Sequence, residues 1–186
     1  AVHETLVALV DGAATEVVIA HFSWSAGTAT DALTAALAAA VERGVDVFVL
    51  LEDELERNIQ AVEALTARGV TAQLDGARRT LHAKLCVVDR TRALVGSTNL
   101  SAPALFENHE TNVLMEFPPA AAALADRVHA YAARRPPPVA PEYAGCPATL
   151  WRDGDVAPAL VAAIDGAVSR VWVVLYALSY DDRYPD

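Results

Sequence analysis

Apolar positions recur along this chain at two alternating periods. Residues 6–14 are spaced as one face of a helix, and residues 16–22 form a β-branched run that predicts a strand. Residues 31–43 predict an Ala- and Leu-rich helix ended by Gly44, and 45–51 a buried strand. A helix over 56–68, ended by Gly69, and a strand over 70–74 follow. The β-α-β-α-β order predicts an α/β architecture, a mostly parallel, mixed sheet with helices on both faces. Strands are expected over 81–88 and 93–99, joined by the polar turn Asp89-Arg90-Thr91-Arg92. A strand over 111–117 and a helix over 120–135 complete the series.

The pattern then breaks. The stretch from Arg134 to Pro147 holds five prolines in fourteen residues, which neither a helix nor a central strand can continue. A semi-rigid linker over 136–147 is expected, separating a first unit, 1–135, from a second, 148–186. The second unit predicts a strand over 149–151, a helix over 156–168 and a strand over 170–177. It repeats the start of the chain. Leu6, Val7, Ala8, Asp11, Gly12, Ala13 and Val17 recur at a constant offset of 154 as Leu160, Val161, Ala162, Asp165, Gly166, Ala167 and Val171. The expected organisation is one repeat followed by the opening of another.

Composition narrows the class of protein. Apolar residues make up 54 % of the chain and charged residues 20 %, enough to bury a core. With 24 acidic and 14 basic side chains the net charge is −10, which argues against a sequence-independent nucleic-acid coat. No apolar run is long enough to span a bilayer, and no signal peptide is visible, which leaves cytoplasm and secretion both open. Two cysteines, Cys86 and Cys146, are too few for a disulfide framework; Cys86 reads as a buried thiol. All the basic side chains are arginines except one, Lys84.

That lysine sits in the stretch His82 to Asn99, HAKLCVVDRTRALVGSTN, with the spacing H-x-K, four residues, D, six residues, G-S-x-N. Six specified positions at about 5 % usage each arise by chance in roughly one chain in 10⁵ or fewer. On strands, His82 and Lys84 share a face, as do Ser97 and Asn99. An antiparallel hairpin with Asp89 opposite Arg92 puts Lys84 opposite Ser97 and His82 opposite Asn99. Four polar groups converging on otherwise apolar strands need a partner, and an anion fits: a point charge from Lys84, neutral donors from Ser97 and Asn99. The imidazole then stands beside the anion, placed for attack or proton transfer.

This pattern resembles the signature of the phospholipase D superfamily, the HKD phosphodiesterases. The continuation Asn99-Leu-Ser and the later Asn108-His109-Glu110 extend the likeness, as do the alternating elements and the duplication. The resemblance implies a phospholipase D-like repeat and a metal-independent enzyme without cofactors. It implies His82 as the nucleophile that forms a phosphohistidine, or as the acid that protonates the leaving oxygen. Lys84, Ser97 and Asn99 would hold the phosphate oxygens, with Asp89 counted among the catalytic positions as a structural or tuning group. Glu110 would orient His82, and Gly96 would permit close backbone approach. Members of the superfamily use two such motifs, whereas this sequence holds one. The implied partner is a second motif from another chain, as in a homodimer, or from a further C-terminal part.

The expected activity is hydrolysis or transphosphatidylation of a phosphodiester. A phospholipid is favoured because of the negative charge; a metal-independent nuclease and an inactive binding module are the alternatives. Elsewhere, His21 and Trp24 read as core or rim packing at the end of the first strand, with lining of the substrate pocket as the second reading. His3 and His129 read as surface residues. The acidic run Glu52-Asp53-Glu54 reads as a solvated loop. Arg78-Arg79 reads as a solvated turn or as an attraction for phosphate.

Overall fold

The computed structural model describes residues 2–76, 79–136 and 156–171. Two compact units divide the chain, Ala1–Cys146 and Pro147–Asp186. The first is built from α1 (Val2–Asp11), β1 (Glu16–His21), α2 (Asp31–Glu42), β2 (Asp46–Leu51), α3 (Glu56–Thr66) and β3 (Thr71–Leu74). It continues with β4 (Lys84–Val88), β5 (Arg92–Gly96), α4 (Ala102–Phe106), β6 (Asn112–Met115) and α5 (Pro118–Ala132). These form a six-stranded mixed sheet in the order β3-β2-β1-β4-β5-β6. The β-α-β-α-β stretch supplies the parallel pairings, β1 with β2 and β2 with β3, and β4, β5 and β6 add an antiparallel meander. The short helix α4 was not foreseen from the pattern.

β1 lies at the centre, and Val17, Val18, Ile19 and Ala20 are at most 1 % exposed. Such strands read as continuous apolar runs because both faces are covered. On one face Val17, Ile19, Val47, Val49, Leu51, Cys86 and Leu94 pack against Leu6, Leu9 and Val10 of α1, Leu33 and Leu37 of α2, and Ala61 and Leu65 of α3. On the other, Val18, Ala20, Val87 and Ala93 lie under α5, which buries Ala121, Leu124, Ala125 and Val128. Each Val, Leu or Ile among them contributes about 1.5–3 kcal/mol when fully buried. Helices α2 and α3 stop where expected, Gly44 (φ 86°) and Gly69 (φ 81°) taking the left-handed conformation that ends a helix.

The hairpin register differs from expectation by one residue. Val88 pairs with Arg92 and Leu85 with Val95, so three residues, Asp89, Arg90 and Thr91, make the turn. Asp89 (φ 52°) and Arg90 (φ 55°) are both left-handed, and Thr91 N–H bonds the Val88 carbonyl at 3.1 Å. A shift of one residue exchanges the faces of a strand. It places Gly96, not Ser97, across from the start of β4. β5 ends at Gly96 and β4 begins at Lys84, both shorter than expected, so His82, Ser97 and Asn99 lie beyond the ladder.

Asp89 lies in this turn, away from the motif's polar cluster, where its contacts are those of the structural one of the two roles expected of it. It sits at the opposite sheet edge from Lys84, roughly 16 Å along β4 at 3.3 Å per residue. Its carboxylate accepts from Ala14, Thr15 and Glu16 N–H (2.7 to 3.1 Å) and from the Thr15 hydroxyl at 2.9 Å. Burial alone would raise its pKa, but the donors from Thr15, Glu16 and Ala14 outweigh it and hold the group below the ordinary 3.8.

α6 (Val156–Asp165) lies in the second unit, each boundary 154 positions after the matching boundary of α1. Both helices close with the same bonds: Gly12 N–H to Ala8 and Gly166 N–H to Ala162, at 3.1 and 3.0 Å. The expected strand 149–151, all but residues 170–171 of the expected strand 170–177, nearly all of the linker 136–147, Cys146 and Arg78 fall outside the described residues. No helix among the described residues is long and apolar enough to cross a membrane.

Asp89→Asn keeps a side chain that tolerates positive φ but removes the charge that collects these donors. It should destabilise the first unit by about 1–3 kcal/mol, read as a lowered melting temperature. A depressed carboxylate stabilises above its unfolded value of 3.8 and loses that contribution as pH falls through the lower folded value. The gap between wild type and variant should therefore be full at pH 6 and close on acidification below 3.8; a gap that widens there contradicts this anchoring role.

Candidate active site

The parallel strands end, β5 ends, and β4 and β6 begin, at one edge of the sheet. That edge gathers the motif. His21 at the end of β1 pairs with Lys84 at the start of β4, so both side chains lie on the α1 side of the sheet. The ladder continues one bond further, Phe22 N–H to the Ala83 carbonyl at 2.8 Å, and then the chain carries His82 away from it.

His82 is exposed and Lys84 half-buried. Lys84 Nζ stands 3.4 Å from both ring nitrogens of His82 and donates to the His82 carbonyl at 3.1 Å. The Phe22 ring lies against both, its centroid 4.6 Å from that of His82 and 4.9 Å from Lys84 Nζ. Partial desolvation, followed by the Lys84 charge, lowers the pKa of His82. Desolvation also lowers that of Lys84, against the opposing pull of Glu110. The site therefore holds an uncharged imidazole beside an ammonium poorly solvated by water. That pairing suits attack on an anionic phosphorus centre.

Across the site, Ser97 donates its hydroxyl to Glu110 and accepts from Thr111 N–H at 3.0 Å. Asn108 Nδ2 donates to the other Glu110 oxygen at 3.3 Å. Glu110 thus meets Ser97 and Asn108, not the His82 ring expected of it, and acts on Lys84 through its charge. Gly96 makes the crossing possible, because a Cβ there would overlap Asn112 Oδ1 and the Thr111 carbonyl. Beyond Ser97 the chain turns to run beside the end of β1: Leu100 N–H bonds the Ser23 carbonyl at 3.0 Å, and Ser25 N–H bonds the Leu100 carbonyl at 2.8 Å. Asn99 is carried along, its Oδ1 buried without a partner among the described residues.

His21, read from the sequence chiefly as packing, is 5 % exposed and lines a pocket with Lys84, Cys86, Thr98 and Asn112. Burial, then the Lys84 charge, pushes its pKa down to about 3, against a backbone bond at Ser23, so it stays neutral. Trp24 is core, at 1 % exposure. Cys86 is the buried thiol expected, pushed up to about 12 by burial. His129 is half-buried against Phe48 and bonds Glu16 at 3.2 Å. Glu52 is the residue the sequence misplaced: it is 1 % exposed, not solvated.

Residues 6–131 match a family model described as "Cardiolipin synthase, PLD-like domain". No curated protein sequence matches the chain. Among solved structures, the fold is similar to a phospholipase D family member, Nuc from Salmonella typhimurium (24 % identity, TM-score 0.60), covering 68 % of this chain and 83 % of that one. NucT from Helicobacter pylori is similar at 17 % identity and TM-score 0.57, over 70 % and 84 % of the two chains. Phosphatidylserine synthase from Haemophilus influenzae is similar at 16 % identity and TM-score 0.57, over 69 % of this chain and 34 % of that one.

Lys84→Met removes the neighbouring charge while leaving the desolvation. The pKa of His82, followed by NMR titration of its ring signals, should move upward; no movement, or a fall, contradicts the Lys84–His82 coupling.

Proposed function

The chain belongs to the phospholipase D-like family, whose model spans residues 6–131, and we propose that it is a phospholipase D-type phosphodiesterase working through His82. The contact between the His82 ring and Lys84 Nζ at 3.4 Å carries this reading. It puts a neutral nucleophile and a cation where one tetrahedral anion can meet both. A ring nitrogen of His82 attacks phosphorus, and the P–N bond forms as the P–O bond to the leaving group breaks. The leaving oxygen takes a proton from an acid. Water or an alcohol then attacks, and the P–N bond breaks, returning the electron pair to the ring. Lys84, Ser97 and Asn99 hold the non-bridging oxygens, and Glu110 sets Ser97. A phospholipid is the favoured diester, since a net charge of −10 repels a polyanion.

The acid comes from a second motif. The sequence has one lysine and hence one H-x-K, and an alkoxide cannot leave without a proton. We assign that motif to a second copy of this chain or to a further repeat. The identical length and closing bonds of α1 and α6, 154 positions apart, support a repeat that opens near residue 148.

His82→Ala should abolish turnover of bis(p-nitrophenyl) phosphate, beyond the about 10²–10⁴-fold of general acid–base catalysis alone. EDTA should change nothing. In wild type the acid limb of kcat/KM should lie below the ordinary histidine value of 6.5, because the lowered pKa keeps the ring neutral further into acid. A variant that keeps a tenth of the activity contradicts the assignment. Parallel assays on phosphatidylcholine vesicles and single-stranded DNA, both with EDTA, choose the substrate class; cleavage of DNA alone reverses the lipid preference.

Mixing wild type with His82→Ala chains tests the second motif, assayed on phosphatidylcholine or DNA, whose alkoxide leaving groups need the proton. A site shared between two copies loses activity in proportion to mixed-dimer formation. A fully active monomer contradicts the two-motif requirement.

A further inference from the structure

Glu52 directly follows β2, and at 1 % exposure its carboxylate is removed from water. Such burial is costly unless hydrogen bonds replace the lost hydration. One carboxylate oxygen accepts from Leu81 N–H, the other from Glu54 N–H at 3.4 Å. Leu81 is itself buried and lies where the sheet ladder has run out, past the Phe22–Ala83 bond and three residues before β4. A backbone N–H left unpartnered there would lose its hydration with nothing in exchange. The Glu52 side chain supplies at position 81 what a neighbouring strand supplies from Lys84 onward. The next residue is His82.

Asn58, in the first turn of α3 and fully buried, ties the same end of the sheet. Its Nδ2 donates to the carbonyls of Glu52 and Phe22, each at 2.8 Å, and its Oδ1 accepts from Trp24 N–H at 2.8 Å. Phe22 is the residue whose ring lies against His82. The backbone that carries the imidazole and the ring that flanks it are thus both fastened to the end of β2.

We propose that Glu52 is a positioning residue for His82, acting through the Leu81 amide, with Asn58 as the second tie. The inference rests on His82 being the nucleophile. Neither residue touches the substrate. What position 52 requires is an acceptor oxygen rather than a charge. Burial raises the pKa of Glu52 against the Leu81 and Glu54 amides, and the Asp75 charge and a hydrogen bond shared with Asp53 raise it further.

The test compares Glu52→Gln, which keeps a carbonyl acceptor, with Glu52→Met, which fills similar space without one, in the full chain. Two readouts need no substrate: the exchange rate of the Leu81 amide and the His82 ring signals by NMR. The third is kcat and KM on bis(p-nitrophenyl) phosphate. Glu52→Gln should resemble wild type in all three. Glu52→Met should exchange the Leu81 amide about tenfold faster or more. It should also shift the His82 signals and lose about 10²-fold in kcat with little change in KM, the size of loss that misplacement of a reacting group produces. Unchanged Leu81 exchange in Glu52→Met, or fast exchange with wild-type kcat, overturns the proposal; so does a Glu52→Gln variant as impaired as Glu52→Met. If Glu52→Met does not fold, Glu52→Asp takes its place. It keeps the charge but falls one methylene short, and a wild-type kcat there overturns the proposal equally. Wild type without diesterase activity removes the functional reading, while the two NMR readouts still decide the role of Glu52.

Discussion

The antiparallel pairing of β1 with β4, His21 opposite Lys84, is the constraint on which the rest of the site depends. β1 is the last strand of the parallel half and the first neighbour of the antiparallel half. Everything that ends a parallel strand therefore meets everything that begins β4 or β6. Phe22, Glu52 and Ser23 come from the first group, His82, Lys84 and Glu110 from the second. Ligand crevices of parallel sheets form at strand C-termini for the same reason: the loops there are free to carry chemistry while the strands stay buried. Here the added antiparallel strands bring the motif residues to that edge.

Charge at this edge is arranged so that each group limits its neighbours. Burial first and the Lys84 charge second lower the pKa of both His82 and His21, so the two imidazoles near Lys84 favour the neutral form. Glu110 partly restores Lys84 and is occupied by Ser97 and Asn108. Among the described residues no carboxylate bonds the cation, which leaves it open to an arriving anion. The buried groups His21 and Glu52 sit in surroundings that disfavour their charged forms. Such arrangements reduce stability and concentrate at sites that use them.

Much of this was legible in the sequence, for identifiable reasons. The long apolar runs of β1 and β2 and the helix-ending Gly44 and Gly69 mark elements strongly, and the H-x-K spacing marks the motif. The register of the β4–β5 hairpin was not legible. Its turn places Asp89 and Arg90 at positive φ without the glycine that usually announces it, and one residue changes which side chain faces Lys84. For Asp89 the spacing left a structural and a tuning role open, because spacing shows that a residue matters and not where it lies; its carboxylate holds residues 14–16. Glu52 was misread because an acidic triplet after a strand usually faces water. Only the tertiary position of the Leu81 amide shows why one of the three turns inward. The path of residues 97–100, leaving the hairpin to run beside Ser23, has no local signature.

Covalent capture tests the central claim most directly. Wild type mixed rapidly with bis(p-nitrophenyl) phosphate and quenched at neutral to alkaline pH should carry one p-nitrophenylphosphoryl group, found by mass spectrometry on the peptide containing His82 and lost on acid treatment. A burst of p-nitrophenol with no such adduct, or an adduct on His21 or His109 instead, would contradict the assignment of His82 as the nucleophile.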